Sequence, residues 1–281
     1  RENILMEDYT LDKLLQLTEI YVKEKGEYVI TREDVMKIAY EEEFIEKEFI
    51  KMYKKGKILI TLAGEKVGSV NGLAVLDTGY YSFGRPIRIT CVAYKGTGRI
   101  VDIQKESNLS GKIHEKSISI LRGLLSSLLN AYENIPVDFH ISFEQTYGIV
   151  DGDSASIAEI IALLSALSKY KVKQNIAVTG SVNQFGEVQA IGGVSEKIEG
   201  FYKVCKIMDT IENKGVLIPT SNRDELIILP EVEEAIINNK FHIYTMENLN
   251  DAIEVLMLDE GQTLEMFYED IKKELKKYST K

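Results

Sequence analysis

The sequence has only two cysteines and three histidines in 281 residues, and no CxxC, HExxH or GxxxxGK(S/T) pattern. Those absences remove the usual signatures of a zinc site and of an ATP-binding P-loop. Cys91 and Cys205 sit in apolar surroundings and read as buried free thiols of a reducing compartment. His114, His140 and His242 are scattered along the chain. They neither indicate nor exclude a Ser-His-Asp arrangement, which needs only spatial proximity. A basic excess is missing too: 34 Lys and Arg against 44 Asp and Glu leave a formal charge of −10. No basic face for broad capture of nucleic acid is indicated. There is no secretory h-region, and apolar runs such as residues 160–164 fall far short of the ~18 residues of a membrane span. A cytoplasmic protein without a membrane or nucleic-acid partner is expected. The chain starts at Arg1, inside what reads as helix, so a fragment of a longer protein is expected as well.

What is present is an ordinary globular composition, 44% hydrophobic and 28% charged, in a length that suits one large domain or two unequal ones. The first 55 residues read as charged helices. Thr31 with Asp34 makes a capping-box-like start, Gly56 follows a lysine-rich end, and Ile38, Phe44, Phe49 and Met52 suggest a loose apolar stripe. Such helices bury little alone and are expected to lean on a neighbour. From residue 57 the texture turns to strands. Residues 58–77 are β-rich and interrupted by Gly64, Gly68 and Gly72, and residues 87–94 and 99–104 flank a Lys95-Gly96-Thr97-Gly98 turn as an expected hairpin. A helix over 110–131 and a strand over 137–143 follow. Strands are then expected at 176–182, 187–191, 215–219 and 241–245, with helices at 194–207, 248–256 and 262–278. Strand pairs mixed with single helices predict an α+β (mixed α/β) fold.

The segment "VDGDSASIAEIIALLSALSKY" combines an acidic glycine turn with a helix that is apolar on every side from Ala158 onward. Read locally, Asp153 or Ser154 caps that helix and the carboxylates complement its dipole. The same geometry also places the Ser154 hydroxyl beside free backbone N–H groups able to hold an oxyanion. A nucleophile there needs a base. In "GEVQAIGGVSEKIEGFYKVC", Lys197 stands about one turn into a helix after Gly192-Gly193, among Ile191, Val194, Ile198 and Phe201. By itself it reads as a surface lysine with its stem packed down, the commoner fate of a single lysine.

Together these stretches resemble the proteolytic domain of the Lon family of ATP-dependent proteases. That family carries a serine in a D-G-x-S-A turn and, here 43 residues later, a lysine in G-E-V-x-x-x-G-G-x-x-E-K. "GEKVGSVNGLAV", "VDIQKESNLSGKIHEKS", "IAVTGSV" and "GVLIPTSNRDEL" resemble further family segments in the same order, so that the resemblance covers residues 57–258. Many members read D-G-P-S-A-G, whereas Asp151-Gly152-Asp153-Ser154-Ala155-Ser156 is similar to the G-D-S-A-S, B-type branch and its bacterial Lon-like relatives.

The resemblance implies three regions: residues 1–55 as the helical end of an ATPase small α-subdomain, 56–260 as the proteolytic domain and 261–281 as a C-terminal helical tail. It implies a Ser154–Lys197 dyad that hydrolyses polypeptides, with the oxyanion held by N–H groups around Gly152, Asp153 and Ser154. Thr179 would orient the lysine amine, and Asp151 would hold the turn or block the idle site. Glu106 and Glu144 match acidic positions of the family without a catalytic step. Glu196 and Glu199 must point away from Lys197, because an ion pair would keep the amine charged. Hexameric rings are implied, with ATP and magnesium in an ATPase module outside this sequence, and no cofactor within it. The rival reading is a scaffold of this fold without peptidase activity, which has no need of the Ser154–Lys197 pair. A weaker one is an acyl transferase or amidase using the same dyad.

Overall fold

The computed structural model describes residues 8–39, 44–77, 81–129 and 135–279. The chain divides into two compact units, residues 1–49 and 50–281. In the first, α1 (Asp8–Glu24) is followed by α2 (Arg32–Ala39). The expected cap of α2 forms reciprocally. The Asp34 N–H donates to Thr31 Oγ1 at 3.2 Å and the Thr31 N–H donates to Asp34 Oδ2 at 2.9 Å. The break between units falls inside α3 (Phe44–Lys54), rather than after residue 55. Of the expected stripe, Phe44 and Met52 are exposed; Ile50 and Tyr53 are the buried apolar side chains of α3. Gly56 takes a positive φ of 67°, the left-handed conformation that ends a helix.

The second unit holds β1 (Glu65–Lys66), β2 (Ser69–Asp77), β3 (Ser82–Lys95), β4 (Ile100–Asp102), α4 (Ile103–Glu106), α5 (Lys112–Leu128) and β5 (Val137–Phe143). Next come α6 (Ser156–Ser168), β6 (Val172–Lys173), β7 (Ile176–Val178), β8 (Ser181–Val182), β9 (Val188–Gln189) and α7 (Val194–Met208). The unit closes with β10 (Lys214–Pro219), α8 (Pro230–Ile237), β11 (Phe241–Met246), α9 (Leu249–Met257) and α10 (Leu264–Ser279). Seven strands form a mixed sheet in the order β11-β10-β7-β2-β3-β5-β4. β2–β3 and β3–β5 are antiparallel, and the remaining pairs are parallel. The fold is therefore α+β, as the element pattern predicts.

Two expectations change. Residues 58–64 lie outside the strands; Leu62 is buried there, and the Thr61 carbonyl accepts from the Asn71 side chain at 2.7 Å, so a side chain replaces a ladder. The Lys95–Gly98 turn joins no hairpin: β4 pairs in parallel with β5, and β5 lies between it and β3. The turn wraps around the buried Asp138 of β5, whose Oδ1 accepts from the N–H groups of Thr97 (2.7 Å) and Arg99 (2.9 Å) while Oδ2 pairs with the Arg99 guanidinium. A Cβ on Gly96 would lie 2.1 Å from the Asp138 carboxyl carbon, which is why glycine is required. The helix expected over 110–131 runs Lys112–Leu128, its expected end lying outside the described residues.

All thirteen residues of α6 are buried. It packs on the sheet face that carries Gly72, whose missing Cβ would stand 3.6 Å from that of Ala158. Strand alternation puts Gly84 of β3 on the opposite face, where α7 lies. The C-terminal helix α10 is no separate tail, since Phe267 and Ile271 belong to the same core as α6. Among the described residues, no helix is long and apolar enough to cross a membrane.

Removing the Asp138 carboxylate leaves two backbone N–H groups and a guanidinium unpaired. Asp138→Ala is expected to cost about 3 kcal/mol of stability by urea denaturation, with the loss concentrated above the ordinary carboxylate range, since the native interactions hold the acid ionised.

Candidate active site

The turn before α6 is held from two sides. On one, Val150 N–H donates to the Leu109 carbonyl and Gly111 N–H to the Val150 carbonyl, both at 2.8 Å. Asp151 then sends its Oδ1 to the N–H groups of Ile113 (3.0 Å), His114 (3.2 Å) and Gly152 (2.9 Å). These backbone donors hold its carboxyl below the usual carboxylate range. Asp151 thus caps α5, whose own N-terminal residue is a glycine without a capping side chain. Its carboxylate holds the turn; it is directed at α5 and not at Ser154. Gly152, with φ 98°, makes the reversal that follows.

On the other side, Gly180 N–H (2.8 Å) and Thr179 Oγ1 (3.1 Å) both donate to the Ser154 carbonyl, and Ile157 N–H donates to the Gly180 carbonyl at 3.2 Å. Segment 179–182, leaving β7, therefore fixes the first turn of α6. Neither Asp153 nor Ser154 caps that helix with its side chain: the cap position falls on Ala155, without a side-chain bond. Asp153 Oδ2 instead accepts from Ser181 Oγ at 3.0 Å.

Lys197 approaches from α7. Gly193 turns into the helix with φ 68°, and a Cβ there would meet Val75 Cγ2 at 2.6 Å. The helix then presses on β3 through two glycines. A Cβ on Gly84 would lie 1.8 Å from the Glu196 carbonyl oxygen, and one on Gly200 would lie 2.0 Å from the Gly84 carbonyl oxygen. At this separation Lys197 Nζ stands 2.9 Å from Ser154 Oγ. The lysine is 3% exposed and shares α7 with the buried Val194, Ile198 and Phe201. Burial pushes its amine down to about 8, against the opposing charges of Glu196 and Asp153. Glu199 points away as required, accepting from the Leu229 N–H at 2.8 Å.

Of the residues expected to support the pair, Thr179 bonds the Ser154 main chain and not the lysine amine. The Gly152 N–H is committed to Asp151. Among the described residues the N–H groups of Asp153 and Ser154 make no hydrogen bond and are left unengaged beside the hydroxyl. Glu144 accepts from Thr90 Oγ1 and Glu106 is exposed on α4; neither touches the pair. Sequence reasoning missed Ser181, two residues beyond Thr179. It also missed the part played by Asn222 in the "IPTSN" stretch, where the side chain bonds both the N–H (3.0 Å) and the carbonyl (2.9 Å) of Ile191 ahead of α7. No group of His, Cys, Asp and Glu among the described residues is arranged to hold a metal.

A serine hydroxyl in contact with a desolvated amine, beside unengaged amides at the head of a buried helix, can carry acyl transfer without a histidine. Fold and serine turn together define the class, a serine peptidase domain. The family described as Lon protease (S16) C-terminal proteolytic domain matches residues 42–259. A putative Lon protease homolog of Escherichia coli (strain K12) is 42% identical over 213 residues, covering 74% of this chain and 36% of its own length. One from Haemophilus influenzae is 38% identical, over 73% of this chain and 35% of its own length. The archaeal Lon protease of Pyrococcus abyssi is 30% identical, over 86% and 23%. The chain belongs to the Lon protease family, and it spans about a third or less of the length of these relatives.

A methyl at Gly200 has no room unless α7 moves off β3, and Lys197 moves with it. Gly200→Ala is expected to lower kcat/KM on a fluorogenic peptide by ~100-fold, as would Gly84→Ala, with a folded circular-dichroism spectrum; wild-type turnover in both would disprove the spacing role.

Proposed function

We propose that Ser154 and Lys197 are the catalytic dyad of this peptidase, the observation that carries this being the 2.9 Å contact between the serine oxygen and a buried amine free of any carboxylate partner among the described residues. In the neutral state the amine accepts the Ser154 proton as Oγ attacks the scissile carbonyl. The developing oxyanion takes hydrogen bonds from the N–H groups of Asp153 and Ser154. Collapse of the tetrahedral intermediate expels the amine product, protonated by the Lys197 ammonium, and leaves an acyl-serine. Water, deprotonated by the regenerated amine, then releases the carboxyl product and restores the serine. The chemistry needs a lysine that loses its proton near neutrality, and desolvation provides it. Asp153, bonded by Ser181 on the rim, opposes that shift and tunes the base.

In the longer protein, the reading extends to ATP-dependent degradation of unfolded or misfolded polypeptides by a ring, a hexamer by analogy with the family. Residues 1–55 would be the end of an ATPase small α-subdomain, and ATP with magnesium would bind beyond this sequence. The short coverage of the relatives' length supports this. The buried free thiols Cys91 and Cys205 suit a cytosolic setting. Nothing in the site favours a scaffold role.

Ser154→Ala and Lys197→Ala are each expected to lower peptide cleavage by on the order of 10³-fold or more while leaving the melting temperature within a few degrees of wild type. Undiminished turnover by Lys197→Ala would sink the dyad. Because the amine must be neutral, kcat/KM is expected to rise with pH through a midpoint of about 8. Asp153→Asn removes a charge that holds the proton on Lys197, so its profile should rise at lower pH than wild type. A shift toward higher pH would refute that account.

A further inference from the structure

Helix α6 contains one ionisable residue, Glu159, among thirteen buried positions, and the peptidase chemistry has no use for it. A carboxylate there is costly, and replacing it with an apolar side chain of similar size would ordinarily be neutral or stabilising. It is 0% exposed, with the Ser117 hydroxyl of α5 as its nearby polar neighbour, and burial pushes it up to about 7. Its Oε1 lies 3.5 Å from Nδ1 of His114, which α5 sends into the same interior and which is 1% exposed. The other ring nitrogen, Nε2, is 3.0 Å from Oδ2 of Asp102. Asp102 in turn caps α4 by accepting from the Gln104 N–H at 3.0 Å. One imidazole therefore joins α4, α5 and α6. The ring packs edge-on against Phe143 of β5. Burial draws the His114 pKa down, but the Asp102 hydrogen bond and the charges of Glu159, Asp102 and Asp151 outweigh it and favour the imidazolium. Asp153 adds a further negative charge toward Glu159.

The position of this cluster relates it to the nucleophile. The His114 N–H is one of the three donors that hold Asp151, so the residue clamped inside by its ring is pinned outside to the turn bearing Ser154. Glu159, at the opposite end of the clamp, bonds through its own N–H to the Ala155 carbonyl at 2.9 Å, next to Ser154. Sliding α5 against α6 would pull the Asp151 cap from one side of the turn while the other side stayed fixed to Gly180.

We propose that His114 and Glu159 are positioning residues for the nucleophile: the imidazole, clamped between Glu159 and Asp102, locks α5 to α6 and so fixes the Asp151-capped turn that presents Ser154 and its oxyanion N–H groups to Lys197. This rests on the peptidase reading only for its effect on turnover; the clamp itself is a statement about the turn. Neither residue touches substrate. The glutamate supplies the fixed partner of the ring, at a cost in stability that a wholly apolar α6 would avoid.

The test uses His114→Leu and Glu159→Met in the full chain, with two readings. Hydrogen exchange followed by mass spectrometry should show residues 150–155 exchanging about tenfold faster than wild type or more, with the β2–β3 ladder unchanged. On a fluorogenic peptide, kcat should fall on the order of 10- to 100-fold with KM within about twofold, the signature of a misplaced nucleophile and not of lost binding. Glu159→Met should do this while its melting temperature stays equal to wild type or rises, which a purely structural role would not produce. Wild-type exchange at 150–155, or wild-type kcat, in a folded variant overturns the proposal. Should His114→Leu fail to fold, Glu159→Met decides by the same readings. Absence of cleavage by the wild-type chain would count against the peptidase reading alone, because the exchange measurement still decides the clamp.

Discussion

The contact between a dry lysine amine and a serine hydroxyl is the constraint around which the second unit is arranged. An ammonium at that position would have no lone pair to accept the Ser154 proton, and burial on α7 is what lowers its affinity for hydrogen ions. Burial alone would not serve, since a lysine that close to Glu196 and Glu199 could recover its charge by pairing. Glu199 is drawn off to the Leu229 N–H, and the remaining carboxylates act at a distance. The lysine is thus kept near the hydroxyl and, among the described residues, out of any ion pair.

Two kinds of packing maintain that separation. On the α7 side it is set by absent atoms: Gly84 and Gly200 let helix and strand backbones approach until a single methyl would collide. On the α6 side it is set by hydrogen bonds, with Thr179 and Gly180 holding the Ser154 carbonyl and Asp151 tying the turn to α5. Every one of these bonds has a backbone group as donor or acceptor, so the turn is held without long polar side chains. The cluster of His114, Glu159 and Asp102 extends the second arrangement into the core.

Much was legible from local pattern. The Thr31–Asp34 cap, the glycine ending α3, the apolar α6, the Gly192-Gly193 entry to α7 and the mixed element order all follow from preferences that act within a few residues, and each appears in the structure. The hairpin around residues 95–98 failed for the complementary reason: a strand's partner is chosen by distant packing, and β5, some forty residues on, takes the place beside β3. The apolar stretch before β2 likewise looked like a strand, because alternation cannot tell whether a ladder partner exists. In the site, the acids Asp151 and Asp153 sit where a helix cap is normally found, yet both turn to other elements, α5 and Ser181.

What the sequence by itself determined was the pairing of residue types: a serine in an acidic glycine turn, a lysine after a double glycine, and helices apolar enough to bury both. Spacing along the chain and resemblance between motifs carry that much, since each motif folds on its own local terms. Only the tertiary structure decided the 2.9 Å separation, the direction of every supporting carboxylate and the choice of amides left unengaged. Those depend on how α5, α6 and α7 seat on one sheet, and the proton affinity of Lys197 is lowered chiefly by its burial there, against the charges of its chain neighbour Glu196 and of Asp153.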